Sequence, residues 1–139
     1  MANNPKEHDD VTPIRRSRPN PAHLARGLAV MLLGIGVLHF VAPKPFDEII
    51  PEEIPGDPRT LTHLSGVVEI GLGAGLLVPR TRRLSGALSA LLFLAVYPAN
   101  LNMVRLWWDK PLPYRIVAVA RLPLQFPMIW AAIRVAREG

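Results

Sequence analysis

Residues 24–42 read LARGLAVMLLGIGVLHFVA, an apolar run interrupted by a single arginine and a single histidine. An α-helix needs roughly 20 mostly apolar residues to cross the ~30 Å hydrocarbon core of a bilayer, so this run is long enough to span a membrane. Three further runs of the same kind follow at residues 60–78, 84–104 and 116–133. The sequence therefore predicts an all-α protein, an antiparallel bundle of four transmembrane helices.

The composition of the chain narrows the classes of function. It contains no cysteine, which excludes disulfides, thiolate metal ligands and cysteine nucleophiles. A pI of about 10.4 would suit nucleic-acid binding, but the basic residues are spread over the tails and loops that flank the apolar runs. Membrane topology and lipid headgroups explain such a distribution. We therefore expect the lipid bilayer, and no nucleic acid, as the partner of this chain.

The basic residues also predict the orientation of the chain. Ten of the sixteen lie in or next to the amino-terminal tail, the loop between spans two and three, and the carboxyl-terminal tail, which share one side of a four-span bundle. The opposite side has six and carries an acidic first loop. Loops rich in Lys and Arg face the cytoplasm, so both termini are predicted to be cytoplasmic. The protein is then expected to be a multi-pass protein of the plasma membrane.

Two segments outside the predicted spans have their own character. Residues 1–20 are polar and have too few apolar groups to pack, so we predict a disordered basic cytoplasmic tail ahead of a membrane domain at residues 21–139. The loop at residues 43–59 contains five prolines, which prevent a long helix. Its apolar side chains form either a short amphipathic lid at the outer interface or a stiff loop that dips into headgroups; they are Phe46, Ile49, Ile50 and Ile54.

Small residues and prolines predict where the helices touch and where they bend. Small residues four apart let membrane helices approach closely. Such pairs are Gly71 with Gly75, Ser85 with Ser89, and Gly86 with Ala90, and Gly34 and Gly36 lie in the first run. A proline removes one helical hydrogen bond and crowds the preceding turn. Pro98 therefore predicts a kink in the third helix, and Pro123 and Pro127 predict breaks in the fourth.

Polar residues inside the apolar runs are the candidates for function, because each is costly in hydrocarbon and should face the bundle interior or water. With a rise of ~1.5 Å per residue and the predicted topology, all of them fall in the outer half of the bilayer. We predict that they bind a ligand; they are His39, His63, Glu69, Asn100, Asn102, Arg121 and Gln125. No catalytic residue can be named from the sequence.

Three interpretations of this cluster stay open. Glu69 and Arg121 are the obvious charge pair, and they can lock helices two and four together. Alternatively, the cluster binds a small polar or quinone-like ligand, or it lines a proton or ion path. A metal site at His39, His63 and Glu69 is disfavoured, because no ligand spacing supports it, and we predict no metal.

Several segments together carry the pattern of a family. They are GVLHF (36–40), IIP (49–51), LTHLSGVVEI (61–70), LLVPRTR (76–82), YPANLNM (97–103) and RLPLQ (121–125). In order and spacing they resemble the DoxX-like family of small four-helix bacterial membrane proteins. At matching motif positions this chain has His39, Glu69, Asn100 and Arg121.

The resemblance implies a four-helix fold in a bacterial inner membrane and a role in redox chemistry. The family's namesakes are membrane subunits linked to thiosulfate oxidation with quinone. By analogy we expect a redox-associated membrane accessory, with quinone as the possible cofactor and with redox subunits or a second copy of the chain as partners. The absence of cysteine argues against direct sulfur transfer. A permease-like protein for a small solute or lipid, and a purely structural scaffold, are the alternatives.

Overall fold

The computed structural model describes residues 17–139, and this part of the chain is helical, without a strand. Its helices are α1 (Pro21–Val41), α2 (Lys44–Ile49), α3 (Pro58–Leu77), α4 (Arg82–Ala95), α5 (Tyr97–Leu106) and α6 (Leu112–Glu138). Four of its helical segments are long and apolar enough to cross a membrane: α1, α3, α4 with α5, and α6. They differ from the predicted spans only at their ends, so the all-α, four-span prediction is confirmed. The predicted tail at residues 1–20 falls mainly outside the described residues.

Local sequence fixes where the first two long helices begin. Asn20 precedes α1, and its side-chain oxygen accepts a hydrogen bond from the Ala22 amide at 2.9 Å. Asp57 precedes α3 and accepts one from the Thr60 amide at 3.0 Å. Each cap is followed by a proline in the first turn, where the missing amide hydrogen has no helical partner in any case.

The four spans close into a ring. Helix α1 packs against α3, α3 against α4, α4 against α6, and α6 against α1, so α3 and α6 are diagonally opposite. An apolar core fills the half of the bundle nearest the termini, where Leu28 and Leu32 meet Leu76 and Val135. Many large apolar side chains, such as Leu64 and Phe126, point outward and are exposed. A contiguous apolar exterior of this kind suits contact with lipid.

Glycine brings α1 and α3 into close contact. A Cβ atom added to Gly66 would lie 2.9 Å from the His39 Cβ and 3.0 Å from the Gly36 carbonyl oxygen. The prediction for Gly36 is therefore confirmed. The prediction for Gly34 and Gly71 is wrong, because neither has a neighbouring atom within 4 Å of such a Cβ. Both point away from the other helices.

The two proline predictions have different outcomes. The helix of the third span is interrupted at Val96, between α4 and α5, and Pro98 occupies the first turn of α5, so the interruption lies where the kink was predicted. The predicted breaks at Pro123 and Pro127 are wrong, because α6 continues through both residues. Each proline removes one amide donor, but the rest of the hydrogen-bond ladder and the packed neighbouring helices hold the helix together.

Candidate functional site

A cavity of about 210 Å³ lies in the half of the bundle away from the termini, and we refer to it as the central cavity. Helices α1, α3, α5 and α6 contribute its polar wall, and α2 with the loop after it contributes much of its apolar wall. Four of the seven predicted site residues line it: His39, Glu69, Asn100 and Arg121. Residues far apart in the sequence thus meet at one level of the bundle.

Glu69 is the acidic group of the cavity and is 7% exposed. Its Oε1 accepts a hydrogen bond from the Ser65 hydroxyl at 3.3 Å. Its Oε2 lies 3.2 Å from the His39 Nδ1, but that nitrogen is 2.8 Å from the Ile35 carbonyl oxygen, and Oε2 has no hydrogen-bond partner within the described chain. A buried acceptor is costly to leave unbonded, so Oε2 is available to a donor from a ligand or water.

Arg121 supplies the positive charge. The Arg121 guanidinium is half-buried, and its one hydrogen bond within residues 17–139 runs from an Nη1 donor to the Met103 sulfur at 3.9 Å. Glu69 and Arg121 do not form the ion pair that one of the three interpretations assumed, since no nitrogen of Arg121 comes within ion-pair distance of Glu69. Glu69 and Arg121 lie on α3 and α6, which are diagonally opposite, whereas His39 lies on α1, which packs against α3. The cavity therefore keeps a donor side and an acceptor side apart.

Asn100 and Gln125 hold the floor of the site together. The Asn100 side-chain amide donates to the Gln125 Oε1 at 2.8 Å, and the Gln125 amide donates to the Phe93 carbonyl oxygen. Phe93 lies near the end of α4, just before the interruption at Val96 that separates α4 from α5. Gln125 is 2% exposed and does not line the cavity, so it supports the site from below.

Helix α2 forms a lid over the central cavity. The Phe46 ring stacks on the His39 ring with centroids 3.8 Å apart, and Ile49 also lines the cavity. The Asn102 side-chain amide donates to the Ile49 carbonyl oxygen at 3.0 Å. Asn102 is therefore a lid contact. The lid interpretation of the proline-rich loop is the one that this geometry favours.

An ion pair fastens the lid to the start of α3. The Arg59 Nε donates to the Asp47 carboxylate at 2.8 Å. Burial of the Asp47 carboxyl opposes its charge, but the Thr62 hydroxyl and Arg59 outweigh burial, so the pKa of Asp47 lies below its ordinary value. Asp47 therefore stays charged and bound to Arg59 at neutral pH.

His63 does not join the site. Its ring stacks on the Phe40 ring with centroids 5.0 Å apart, and it does not line the central cavity. Two further cavity residues on α3, Thr62 and Ser65, were not among the predicted site residues. Their spacing from Glu69 places all three on one face of a helix, which is the pattern that identifies them.

The chemistry of the central cavity favours a small, largely apolar ligand. Engineered cavities of ~150 Å³ hold benzene, so a cavity of about 210 Å³ has room for one substituted ring. Isoleucine side chains and Phe46 provide the apolar walls, and Arg121 and Glu69 provide a hydrogen-bond donor and an acceptor. Apolar walls with a few placed polar groups are typical of small-molecule sites. Residues 17–139 contain no group of three or more His, Cys, Asp or Glu side chains that could hold a metal.

Comparison with known proteins identifies one family. A family model described as "Domain of unknown function (DUF8561)" matches residues 28–136, which cover most of α1 and α6 and all of α3, α4 and α5. No curated protein and no solved structure matches the chain. The resemblance to the DoxX-like family is supported by no match and stays a prediction.

Proposed function

The chain belongs to the DUF8561 family, and we propose that it is a membrane protein that binds a quinone-like ring in the central cavity and serves membrane redox chemistry as an accessory. The observation that carries the proposal is the cavity itself, where Arg121 offers hydrogen-bond donors and the Glu69 Oε2 is a buried acceptor that has no hydrogen-bond partner among residues 17–139. A small polar ligand of the same size is the alternative occupant of this cavity.

A quinone suits these two groups in both of its redox states. The oxidised ring presents carbonyl oxygens, which accept hydrogen bonds, and Arg121 can donate to one of them. The reduced ring presents hydroxyl groups, which also donate, and the Glu69 Oε2 can accept from one of them. The Glu69 carboxylate can accept a proton released by the reduced ring, and the His39 Nδ1, 3.2 Å from Oε2, is an N–H donor because it bonds the Ile35 carbonyl oxygen. The electrons would pass to a redox partner subunit.

The predicted topology places the site in the outer half of a bacterial inner membrane. The cavity lies at the end of the bundle away from the termini, and the positive-inside rule puts the termini in the cytoplasm. A lipid-soluble ligand and a membrane partner are both accessible there. The redox role, the partner subunits and a homo-oligomer rest on the DoxX-like resemblance.

A structural role has support of its own for part of the polar cluster. Asn100 and Gln125 bond to each other and to the α4 backbone, and these contacts need no ligand. Glu69 and Arg121 differ from them, because they are ionisable groups that both line the cavity and do not pair with each other. We therefore assign Asn100 and Gln125 to a structural scaffold, and Glu69 and Arg121 to the binding site.

The test is to purify the protein in lipid nanodiscs, extract bound small molecules and identify them by mass spectrometry. The variants are Glu69→Gln and Arg121→Ala, and the matched control is Arg134→Ala, an arginine on the same helix as Arg121 that pairs with Glu138. We expect a quinone with the wild type and the control, and none with the two cavity variants.

Two other outcomes would replace the proposal. If the wild type retains no quinone, and both cavity variants unfold more easily than the control, the cluster is a scaffold. If the wild type retains no quinone but carries a solute across proteoliposome membranes, and both cavity variants abolish that flux, the protein is permease-like. Thermal unfolding of each variant, measured on the same samples, separates loss of ligand from loss of fold.

A further inference from the structure

A second cavity, of about 260 Å³, lies beside the central cavity, and we refer to it as the side cavity. Phe46, Ile49 and Arg121 line both cavities, so the two are adjacent across the lid. The remaining wall of the side cavity is almost entirely apolar, with Leu38 on α1 and Val117 on α6. Arg121 is the charged side chain of this wall.

The side cavity opens toward the lipid. Leu38 is 48% exposed and Val117 is 50% exposed, although both line the cavity. Leu38 lies three residues before the end of α1 and Val117 five residues after the start of α6. Both residues belong to helices that are long and apolar enough to span a membrane, and at ~1.5 Å per residue they lie roughly 5 Å and 8 Å from the helix ends. The opening between α1 and α6 therefore connects the site with the bilayer interior.

From this geometry we infer that the ligand is a ring that carries an apolar chain, with the ring in the central cavity and the first part of the chain in the side cavity. The inference rests on the proposed function and names its ligand class. Arg121 lies where ring and chain join, so it can bond a ring oxygen next to the chain. The chain leaves between α1 and α6, and the ligand enters from the membrane without crossing water. A cavity larger than the ~150 Å³ that holds benzene has room for a short branched segment.

The test compares two probes that share one headgroup. One is a benzoquinone without a side chain, and the other is the same benzoquinone with a short isoprenoid chain. Binding to the nanodisc-embedded protein is measured by quenching of tryptophan fluorescence, and concentration is expressed per lipid so that partition into the bilayer cancels. The variant is Val117→Trp, which fills the side cavity. The matched control is Val119→Trp, the same change on the same helix at an exposed position that does not line either cavity.

We expect wild type and Val119→Trp to bind the chain-bearing probe more tightly than the chainless one at the same concentration per lipid, because the chain makes van der Waals contacts in the side cavity that the chainless probe lacks. Val117→Trp should lose that preference and keep its affinity for the chainless probe. Equal binding of the two probes by the wild type overturns the inference and leaves the proposed function in place. A phospholipid that occupies the side cavity and is not displaced by the chain-bearing probe overturns it as well. If neither probe binds the wild type, the proposed function fails together with the inference.

Discussion

Gly66→Ala tests the closest helix contact of the bundle. The added Cβ would lie 2.8 Å from the Phe40 Cε2, 2.9 Å from the His39 Cβ and 3.0 Å from the Gly36 carbonyl oxygen. Two of these neighbours, a Cβ atom and a backbone oxygen, cannot rotate away, so α1 and α3 must separate. Overpacking of this kind costs about 1–3 kcal/mol.

The matched control is Gly71→Ala on the same helix, where an added Cβ meets nothing within 4 Å. Both substitutions gain the ~1 kcal/mol of helix propensity by which alanine exceeds glycine, so their difference isolates the steric cost. We expect Gly66→Ala to be less stable than Gly71→Ala by about 1–3 kcal/mol. The His39 Nδ1 and the Glu69 Oε2 are 3.2 Å apart in the wild type. Gly66→Ala should also increase this distance and weaken ligand retention.

The assay is reversible unfolding in mixed micelles with an increasing fraction of dodecyl sulfate, followed by the fluorescence of the three tryptophans. Two variants with the same free energy of unfolding would refute the reasoning, because they would show that α1 and α3 do not touch at Gly66. Ligand retention by Gly66→Ala at the wild-type level would separate the helix contact from the site.

Three further predictions concern the floor, the lid and a residue outside the site. Gln125→Leu should lower the free energy of unfolding by about 1–3 kcal/mol in the same micelle assay, because the Phe93 carbonyl loses its buried donor. Arg59→Ala should speed hydrogen exchange in the lid at pH 7, because it removes the ion pair with Asp47. The pKa of Asp47 is lowered from 3.8, so this ion pair is at full strength above pH 3.8 and is lost as the pH falls below that value. The exchange rates of wild type and variant should therefore converge in acid, after correction for intrinsic exchange. A difference that persists in acid would contradict this. His63→Ala should retain ligand like the wild type, since His63 stacks outside the cavity, and extraction with mass spectrometry would detect any loss.

The predicted spans match the helices because length and apolar content are local properties of the sequence. The buried face of a helix is harder to predict from the sequence. Gly71 shows the reason, because its four-residue spacing from Gly75 identifies a stripe of small residues but does not show whether that stripe faces another helix. On α3 the buried stripe is the one that contains Glu69, together with Thr62, Gly66, Gly73 and Leu76. Since a carboxyl group inside a span must face the bundle, Glu69 selects this stripe from the sequence alone.

The pairing inside the site could not be predicted from the sequence. Depth along the membrane brought Glu69 and Arg121 to similar levels, but depth contains no information on which helices are neighbours. In the ring of four spans, α3 with Glu69 and α6 with Arg121 are diagonally opposite, and the cavity lies between these two residues. The ionisable neighbour of Glu69 is therefore His39, on the adjacent helix α1. The sequence likewise did not decide between a lid and a stiff loop for residues 43–59. The contacts that hold the lid are made by Asn102 and Arg59, which are distant from it in sequence.

The order of the spans has a consequence for how the protein is made. His39, the lid and Glu69 belong to the first half of the chain, whereas Asn100 and Arg121 belong to α5 and α6. During synthesis the buried carboxyl group of Glu69 therefore enters the membrane when His39 is already there, so it has a polar neighbour from the moment of insertion. The positive side of the site arrives only with the last helix. A chain that has inserted α1 to α5 but not α6 has no complete cavity, so the ligand can bind only after α6 has been inserted.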